Sequence, residues 1–164
     1  MNSKLANIIA TYLGCGLSKF APGTMGSLGT LPLAYFLIYY GGFYALLLVA
    51  IVLFFVGAKA TSIVINESGN EDPSKVVIDE TVGQLLTFSI VAFLAQDMLI
   101  GKESILFYIC GFAFFRFFDI LKMGPVKYAD TKIKNAYGVM LDDVFAGLFA
   151  AVVLLLVLFI KINL

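Results

Sequence analysis

The sequence lacks histidine altogether and contains only two cysteines. Without histidine the chain can form neither a phosphohistidine nucleophile nor a Ser-His-Asp triad, so two common hydrolase chemistries are excluded. Two cysteines are too few for a disulfide framework. Cys110 and Arg116 match the Cys-x5-Arg spacing of cysteine-dependent phosphatases, but the residues between them belong to an apolar helical run. Such a run cannot form a phosphate-binding loop of exposed amides, so this chemistry is rejected as well.

Charge is also scarce, at 13% of residues against roughly 25% in an ordinary soluble domain. The 11 basic and 11 acidic residues cancel, so no basic field favours nucleic acid as a partner. Hydrophobic residues make up 61% of the chain, in runs that do not alternate polar and apolar residues as barrel strands do. Five apolar runs are long enough, or nearly so, for membrane-embedded helices: Leu28 to Tyr40, Phe43 to Ile65, Val82 to Ile100, Ser104 to Phe118, and Val144 to Ile160.

These runs predict an all-α, polytopic integral membrane protein with about five membrane-embedded helices, forming one domain over residues 1–164. Polar residues concentrate in three islands between the runs: Ser18 to Ser27, Asn66 to Glu80, and Asp119 to Asp143.

The predicted topology places the three islands on one face of the membrane. It requires all five runs to cross, with a turn at Gly41 and Gly42 and a short loop from Gln96 to Glu103. Most of the lysines then lie on the island side, and an excess of Lys and Arg in short loops marks the cytoplasmic face. The first run is short for a crossing, so a re-entrant hairpin with the second run is the alternative.

Two pairs of adjacent acids stand at the ends of apolar runs. Asp79 and Glu80 precede Gly83, and Asp142 and Asp143 precede Gly147. Each glycine lies one helical turn after an acid, where we expect its missing side chain to leave open space. Helix capping explains one acid in each pair and not all four. Several carboxylates that converge from different helices form the ligand set of a hard cation such as Mg²⁺, which in turn attracts phosphate.

Phosphate-binding groups accompany the acids. Arg116, Asp119 and Lys122 follow one another at three-residue steps and share one broad helical face. An ion pair within the helix is the simpler interpretation; the functional one has both cations bind phosphate oxygens while the aspartate joins the metal cluster. In the first island, glycines together with Thr24 and Ser27 predict a loop with free amides and hydroxyls before a helix, which is typical of an anion cradle.

Four segments occur in an order that resembles the phosphatidylglycerophosphatase A family, and they extend from about Gly14 to Gly147. They read GLSKFAPGTMGS, IDETVGQ, FRFFDILKMGPVKYAD and YGVMLDDVFAG. The resemblance implies a Mg²⁺-dependent phosphatase of the bacterial inner membrane. Such an enzyme converts phosphatidylglycerophosphate to phosphatidylglycerol and inorganic phosphate, the last step of phosphatidylglycerol synthesis. Met123 and Lys19 depart from the family pattern, because each replaces a common proline.

The family's motifs fall on the residues already selected. We expect one or two Mg²⁺ ions to be held by the catalytic carboxylates Asp79, Glu80, Asp119, Asp142 and Asp143. We expect the phosphate of the anionic phospholipid to be bound by Thr24, Ser27, Arg116 and Lys122. Because adjacent helical residues point about 100° apart, one acid of each pair is expected to be a direct ligand.

Three alternatives stay open in the sequence. Attack by water and an aspartyl-phosphate intermediate both fit the residue set. A small cation-coupled transporter or channel would also use acids, but it predicts them near the middle of several spans. A lipid phosphotransferase of the CDP-alcohol type ranks lower, because its longer Asp-Gly-x-x-Ala-Arg pattern is missing from the sequence.

Overall fold

The computed structural model describes residues 1–102 and 104–163, and within them the regular structure is entirely helical, as predicted. A 3₁₀ turn lies at Cys15–Leu17. The described residues form six α-helices: α1 (Ser3–Ala10), α2 (Pro22–Ser68), α3 (Ile78–Ile100), α4 (Ser104–Leu121), α5 (Pro125–Lys132) and α6 (Ala136–Asn163). Four of them, namely α2, α3, α4 and α6, are long and apolar enough to cross a membrane.

Local sequence explains where several helices begin and end. Asn2 caps α1, because its side chain accepts a hydrogen bond from the backbone N–H of Leu5 at 2.9 Å. Proline occupies the first turn of both α2 and α5, where its missing N–H is harmless. Gly69 ends α2 in a left-handed conformation, with a φ of 68°.

Helix α2 consists of two arms that meet at Gly42, whose φ of 59° and ψ of −154° are not helical. Gly26 in the first arm lies against Val77, directly before α3, and Gly57 in the second arm lies against Ile78, the first residue of α3. Gly42 lies against Gln96 near the end of α3. The two arms therefore run antiparallel along α3. They correspond to the first two predicted apolar runs, and the turn lies where the glycine pair predicted it. The number of membrane crossings stays a prediction.

Helix α3 is longer than predicted. It begins at Ile78 and continues to Ile100 with a distorted residue at Ala95, so the predicted loop is wrong over residues 96–100. Glu103, which ends that predicted loop, lies outside the described residues.

Helix α3 also lies at the centre of the bundle, where it packs against α2, α4 and α6. It has the lowest mean hydropathy of the four candidate spans, 1.5, and the highest buried share, 50%. Thr81, Gln84, Thr87 and Ser89 of this helix are buried. The least apolar helix is central because surface that faces lipid must be apolar, whereas surface that faces protein need not be.

The three polar islands meet at one end of the bundle. The backbone N–H of Val77 donates to the carbonyl of Ala10 at 2.8 Å, and Lys134 lies 4.0 Å from Glu71. A Cβ added at Gly23 would overlap the Glu80 side chain, so the start of α2 closes the same end. Which side of the membrane this end faces stays a prediction.

Candidate active site

The two acid pairs are brought together by a close crossing of α3 and α6. A Cβ at Gly83 would lie 2.5 Å from the carbonyl oxygen of Asp143, and a Cβ at Gly147 would overlap the carbonyl oxygen of Gly83. The Thr87 hydroxyl lies 2.9 Å from the Gly83 carbonyl oxygen and 3.2 Å from that of Gly147. The expectation of open space beside these glycines is therefore wrong. Glycine is needed there because the two backbones touch.

Helix capping does not explain the acids. Asp79 and Glu80 lie in the first turn of α3, but its N-cap residue is Val77 and makes no side-chain capping bond. Asp142 and Asp143 lie well inside α6, which begins at Ala136 rather than at the predicted Val144. Charge inside a helix and at a helix–helix contact must find partners from other elements.

Three of the predicted carboxylates form one cluster. Asp79, Glu80 and Asp143 each offer an oxygen, and these oxygens lie within 4.8 Å of one another. Asp79 Oδ1, Glu80 Oε2 and Asp143 Oδ1 are buried and have no hydrogen-bond partner in the described part of the chain. Unpartnered buried carboxylate oxygens are costly, and a hard cation that takes oxygen ligands fits this donor set. The cluster could therefore hold a metal ion.

Asp142 differs from its neighbour, because both of its oxygens have partners within the protein. Its Oδ1 accepts a hydrogen bond from the backbone N–H of Asp143 at 3.0 Å, and its Oδ2 accepts one from Lys122 Nζ, also at 3.0 Å. Lys122 Nζ also forms a short ion pair with Asp130. Burial opposes the lysine charge, but Asp130 and Asp142 outweigh it, and the pKa of Lys122 lies above its usual range.

Arg116 is held by acids and by one hydroxyl. Its Nη1 lies 2.5 Å from Asp119 Oδ2 and 3.6 Å from Glu80 Oε1. The same nitrogen donates to the Ser27 hydroxyl at 3.5 Å, whereas the buried Nε has no partner in the described part of the chain. The predicted intrahelical ion pair is thus present, and Glu80 links it to the carboxylate cluster.

The first island differs from its prediction in the part that carries Thr24 and Ser27, which is helical and not a loop. Helix α2 begins at Pro22, so Thr24 and Ser27 lie in its first two turns. The buried Ser27 hydroxyl donates to the Gly23 carbonyl at 2.9 Å and contacts Arg116, but neither predicted hydroxyl residue lines the cavity described next. Ser27 therefore contacts Arg116 but does not form part of the cavity surface.

A cavity of about 350 Å³ opens at this end of the bundle. Its walls include seven of the nine predicted site residues: Asp79, Glu80, Arg116, Asp119, Lys122, Asp142 and Asp143. They come from α3, α4, α6 and the turn after α4, so residues far apart in sequence line one space.

Sequence reasoning assigned no role to Asp130, which also lines this cavity and pairs with Lys122. The available signal was its place at the end of the segment KMGPVKYAD, eight residues after Lys122. Left-handed backbone at Lys122, with a φ of 45°, and at Gly124, with a φ of 53°, turns the chain so that α5 brings this acid back to the lysine. That reversal is not visible in residue spacing.

The fold and the site together define a class of protein. It is a helical membrane protein with a cation-compatible carboxylate cluster beside an arginine and a lysine, all in one cavity. Carboxylate oxygens that could hold a metal ion, next to an arginine and a lysine, suit the binding and hydrolysis of a phosphate ester.

Comparison with known proteins places the chain within this class. The family model for Phosphatidylglycerophosphatase A matches residues 8–158, and the chain belongs to this family of phosphatases. A Phosphatidylglycerophosphatase A from Haemophilus influenzae is 33% identical over 147 residues, covering 90% of this chain and 85% of the relative. Its counterpart from Escherichia coli is 28% identical over 148 residues, covering 90% and 80%.

A relative with a different name is equally similar. A Bacteroides thetaiotaomicron protein named "Putative phosphatidylinositol-3-phosphatase" is 35% identical over 156 residues, covering 93% of this chain and 92% of the relative. No solved structure shows a significant match to the chain.

Proposed function

We propose that the protein hydrolyses phosphatidylglycerophosphate to phosphatidylglycerol and inorganic phosphate, with Mg²⁺ as cofactor. The observation that carries this proposal is the group of unpartnered carboxylate oxygens on Asp79, Glu80 and Asp143, beside Arg116 and Lys122 in one cavity. The family and the names of two relatives supply the substrate.

The carboxylates divide into two groups with different tasks. Asp79, Glu80 and Asp143 would hold the metal, because each keeps one buried oxygen that has no hydrogen-bond partner within the described residues. Asp119 and Asp142 would instead position the cations, because each already accepts from Arg116 or Lys122. The proposal narrows the predicted five ligands to three, and it uses both acids of the first pair, of which only one was expected to be a direct ligand. Bound Mg²⁺ would withdraw charge from the phosphoryl group and favour ionisation of an attacking water.

The two cations would bind the phosphoryl oxygens. Arg116 keeps its unpartnered Nε, and its Nη1 is fixed by Asp119, so the guanidinium is oriented before the substrate arrives. Lys122 is held between Asp130 and Asp142, which fixes its ammonium group. Prepositioned charges stabilise the developing charge of a phosphoryl transition state without reorganisation.

The cavity lies at the end of apolar helices, where a lipid can present its headgroup without leaving the bilayer. We place this end at the cytoplasmic face of a bacterial inner membrane, because lysines are concentrated in the polar islands. The transporter alternative is not supported, since the acids gather at one end of the bundle and the chain belongs to a phosphatase family.

The test is phosphate release from phosphatidylglycerophosphate in detergent micelles by purified protein. We expect release that requires Mg²⁺, stops in EDTA and returns when Mg²⁺ is added. Asp79→Asn and Asp143→Asn should each lose roughly 100- to 1000-fold in rate, because each removes a charged oxygen from the cluster.

Asp97→Asn is the matched control, since Asp97 is an exposed acid near the other end of α3; it should keep the wild-type rate. Undiminished activity in EDTA, or in both cluster variants, would contradict the metal–carboxylate proposal. Phosphatidylinositol 3-phosphate should be assayed in parallel because of the name of the Bacteroides relative. A higher kcat/KM for that lipid would reassign the substrate.

A further inference from the structure

The cavity lining combines charged and apolar side chains. The exposed charged residues Glu71, Asp72 and Lys134 belong to it. Its apolar residues include Ala21, Pro22 and Ile120, besides Val76, Ile133 and Val139. A lining that combines charged and apolar residues suits an amphipathic ligand better than a free phosphate ion.

Part of the apolar lining is also exposed on the outside of the bundle. Ile120 lines the cavity, yet 67% of its surface is accessible. Ala21 is exposed, and Phe20, which precedes it and does not itself line the cavity, is 85% exposed. We call the lining residues Ala21, Pro22 and Ile120, together with the adjacent Phe20, the apolar edge of the cavity.

The two parts of the apolar edge belong to neighbouring helix ends. Ile120 lies one helical turn after Arg116 on α4, and Arg116 donates to Ser27 in the second turn of α2. A Cβ at Gly23 would lie 3.2 Å from Arg116 Nη1, so the start of α2 and the end of α4 meet at the arginine. The apolar edge is therefore continuous with the proposed phosphate-binding groups.

The apolar edge also lies at a suitable depth. Helix α4 is a candidate membrane span that ends at Leu121, one residue after Ile120. With α4 spanning the bilayer, this position would be near the boundary between acyl chains and headgroups, where the glycerol backbone of a phospholipid lies. A lipid whose phosphate reaches Arg116 would then place its first methylene groups against Ile120.

We propose that the apolar edge is the binding site for the glycerol backbone and the first acyl methylenes of the lipid substrate, which enters the cavity between the start of α2 and the end of α4. This inference rests on the proposed function.

The kinetic test compares Ile120→Ser and Phe20→Ser with wild type on two phosphatidylglycerophosphates, one with dioleoyl chains in micelles and one with soluble dibutanoyl chains. For the long-chain lipid we expect KM to rise roughly tenfold in either variant with little change in kcat, the scale expected for losing a few buried methylene contacts. For the short-chain lipid we expect less than a twofold change.

Ile109→Ser is the matched control, because Ile109 is 58% exposed on the same helix but does not line the cavity. It should behave as wild type with both lipids. Equal losses with both lipids in the edge variants, or no loss with either, would overturn the proposal. Failure of wild-type protein to release phosphate from both lipids would contradict the proposed function itself.

A second test does not depend on activity. A phosphatidylglycerophosphate with a photoreactive diazirine near the acyl carbonyl is cross-linked to wild-type protein, and the labelled residues are mapped by mass spectrometry. We expect labelling around residues 20–22 and 117–123 that exceeds labelling by a phosphatidylcholine with the same diazirine. Equal labelling by the two lipids would contradict a specific site at this edge.

Discussion

The two ends of the helix bundle differ in what their cavities contain. At the polar end, a cavity of about 350 Å³ is lined by acids from α3, α4 and α6 together with Arg116 and Lys122. At the opposite end, where Gly42 meets Gln96, a larger hollow of about 560 Å³ is lined largely by aromatic side chains. These include Tyr39, Tyr40, Tyr44, Phe43 and Phe93.

The candidate site therefore lies in the smaller of these two cavities, so cavity volume does not identify it. The larger hollow has Gln96 and tyrosine hydroxyls but no acidic or basic side chain in its lining. Exposed tyrosines at a helix end are typical of the aromatic belt at a membrane interface. The smaller cavity has buried charges and unpartnered oxygens, which are costly unless a ligand uses them.

Gly147→Val should damage the polar end most severely. A Cβ at this position would overlap the Gly83 carbonyl, so α3 and α6 must separate and move Asp143 away from Asp79. We expect phosphatase activity to fall at least about 100-fold, as a displacement of about 1 Å can cause, and the melting temperature in detergent to drop. Leu148→Val, at the neighbouring partly exposed position, should change neither quantity appreciably. A fully active Gly147→Val protein would show that the crossing does not set the site.

Arg116→Lys should have the next largest effect. Lysine keeps the charge but cannot contact Asp119 and a phosphate oxygen through one planar group. We expect kcat/KM to fall roughly 10- to 100-fold, the equivalent of about 1.5 to 3 kcal/mol for charge-assisted hydrogen bonds. Steady-state kinetics measures this change, and a wild-type value for the lysine variant would mean that only charge matters at this position.

Asp130→Asn should have a smaller effect, because it acts through Lys122. The lysine side chain is about one-third exposed, at 32%, so solvent weakens the pair. We expect KM to rise roughly fivefold with kcat nearly unchanged, and Asp130→Glu to restore part of the loss. A decrease in kcat alone would argue against a role in positioning the lysine.

Gln96→Leu should have the least effect on catalysis. Gln96 lies against Gly42 at the aromatic end, far along α3 from the acids. We expect kcat and KM to stay within about twofold of wild type, and the melting temperature in detergent reports any change in the stability of the α2 turn. A large loss of activity would show that the two ends are coupled through α3.

Much of the fold could be predicted from the sequence, because apolar run length and glycine position are local properties. The turn of α2 at Gly42 and the helical class agree with the prediction. The helix starts were predicted less well. The helices that begin at Pro22 and Ala136 include polar residues in their first turns. Neighbouring helices keep those residues away from lipid, and a hydropathy pattern within one segment does not contain that information.

The sequence predicted most of the residues of the candidate site but not how they are arranged in space. Seven predicted residues line one cavity, but Thr24 and Ser27 do not, because the segment that contains them is helical. Asp130 was missed because it reaches Lys122 only through the chain reversal before α5.

The sequence by itself determined that this protein consists of apolar helices with acids, an arginine and a lysine near their ends. The tertiary structure decided which acids keep an oxygen without a protein partner, and so which of them could hold a metal ion. Asp142 and Asp143 are adjacent in sequence, yet Lys122 and a backbone N–H occupy the oxygens of the first, whereas an oxygen of the second is unpartnered beside Asp79 and Glu80. The reason is physical: the availability of a carboxylate oxygen depends on which groups other helices place against it, and at Gly83 and Gly147 that placement follows from backbone contact.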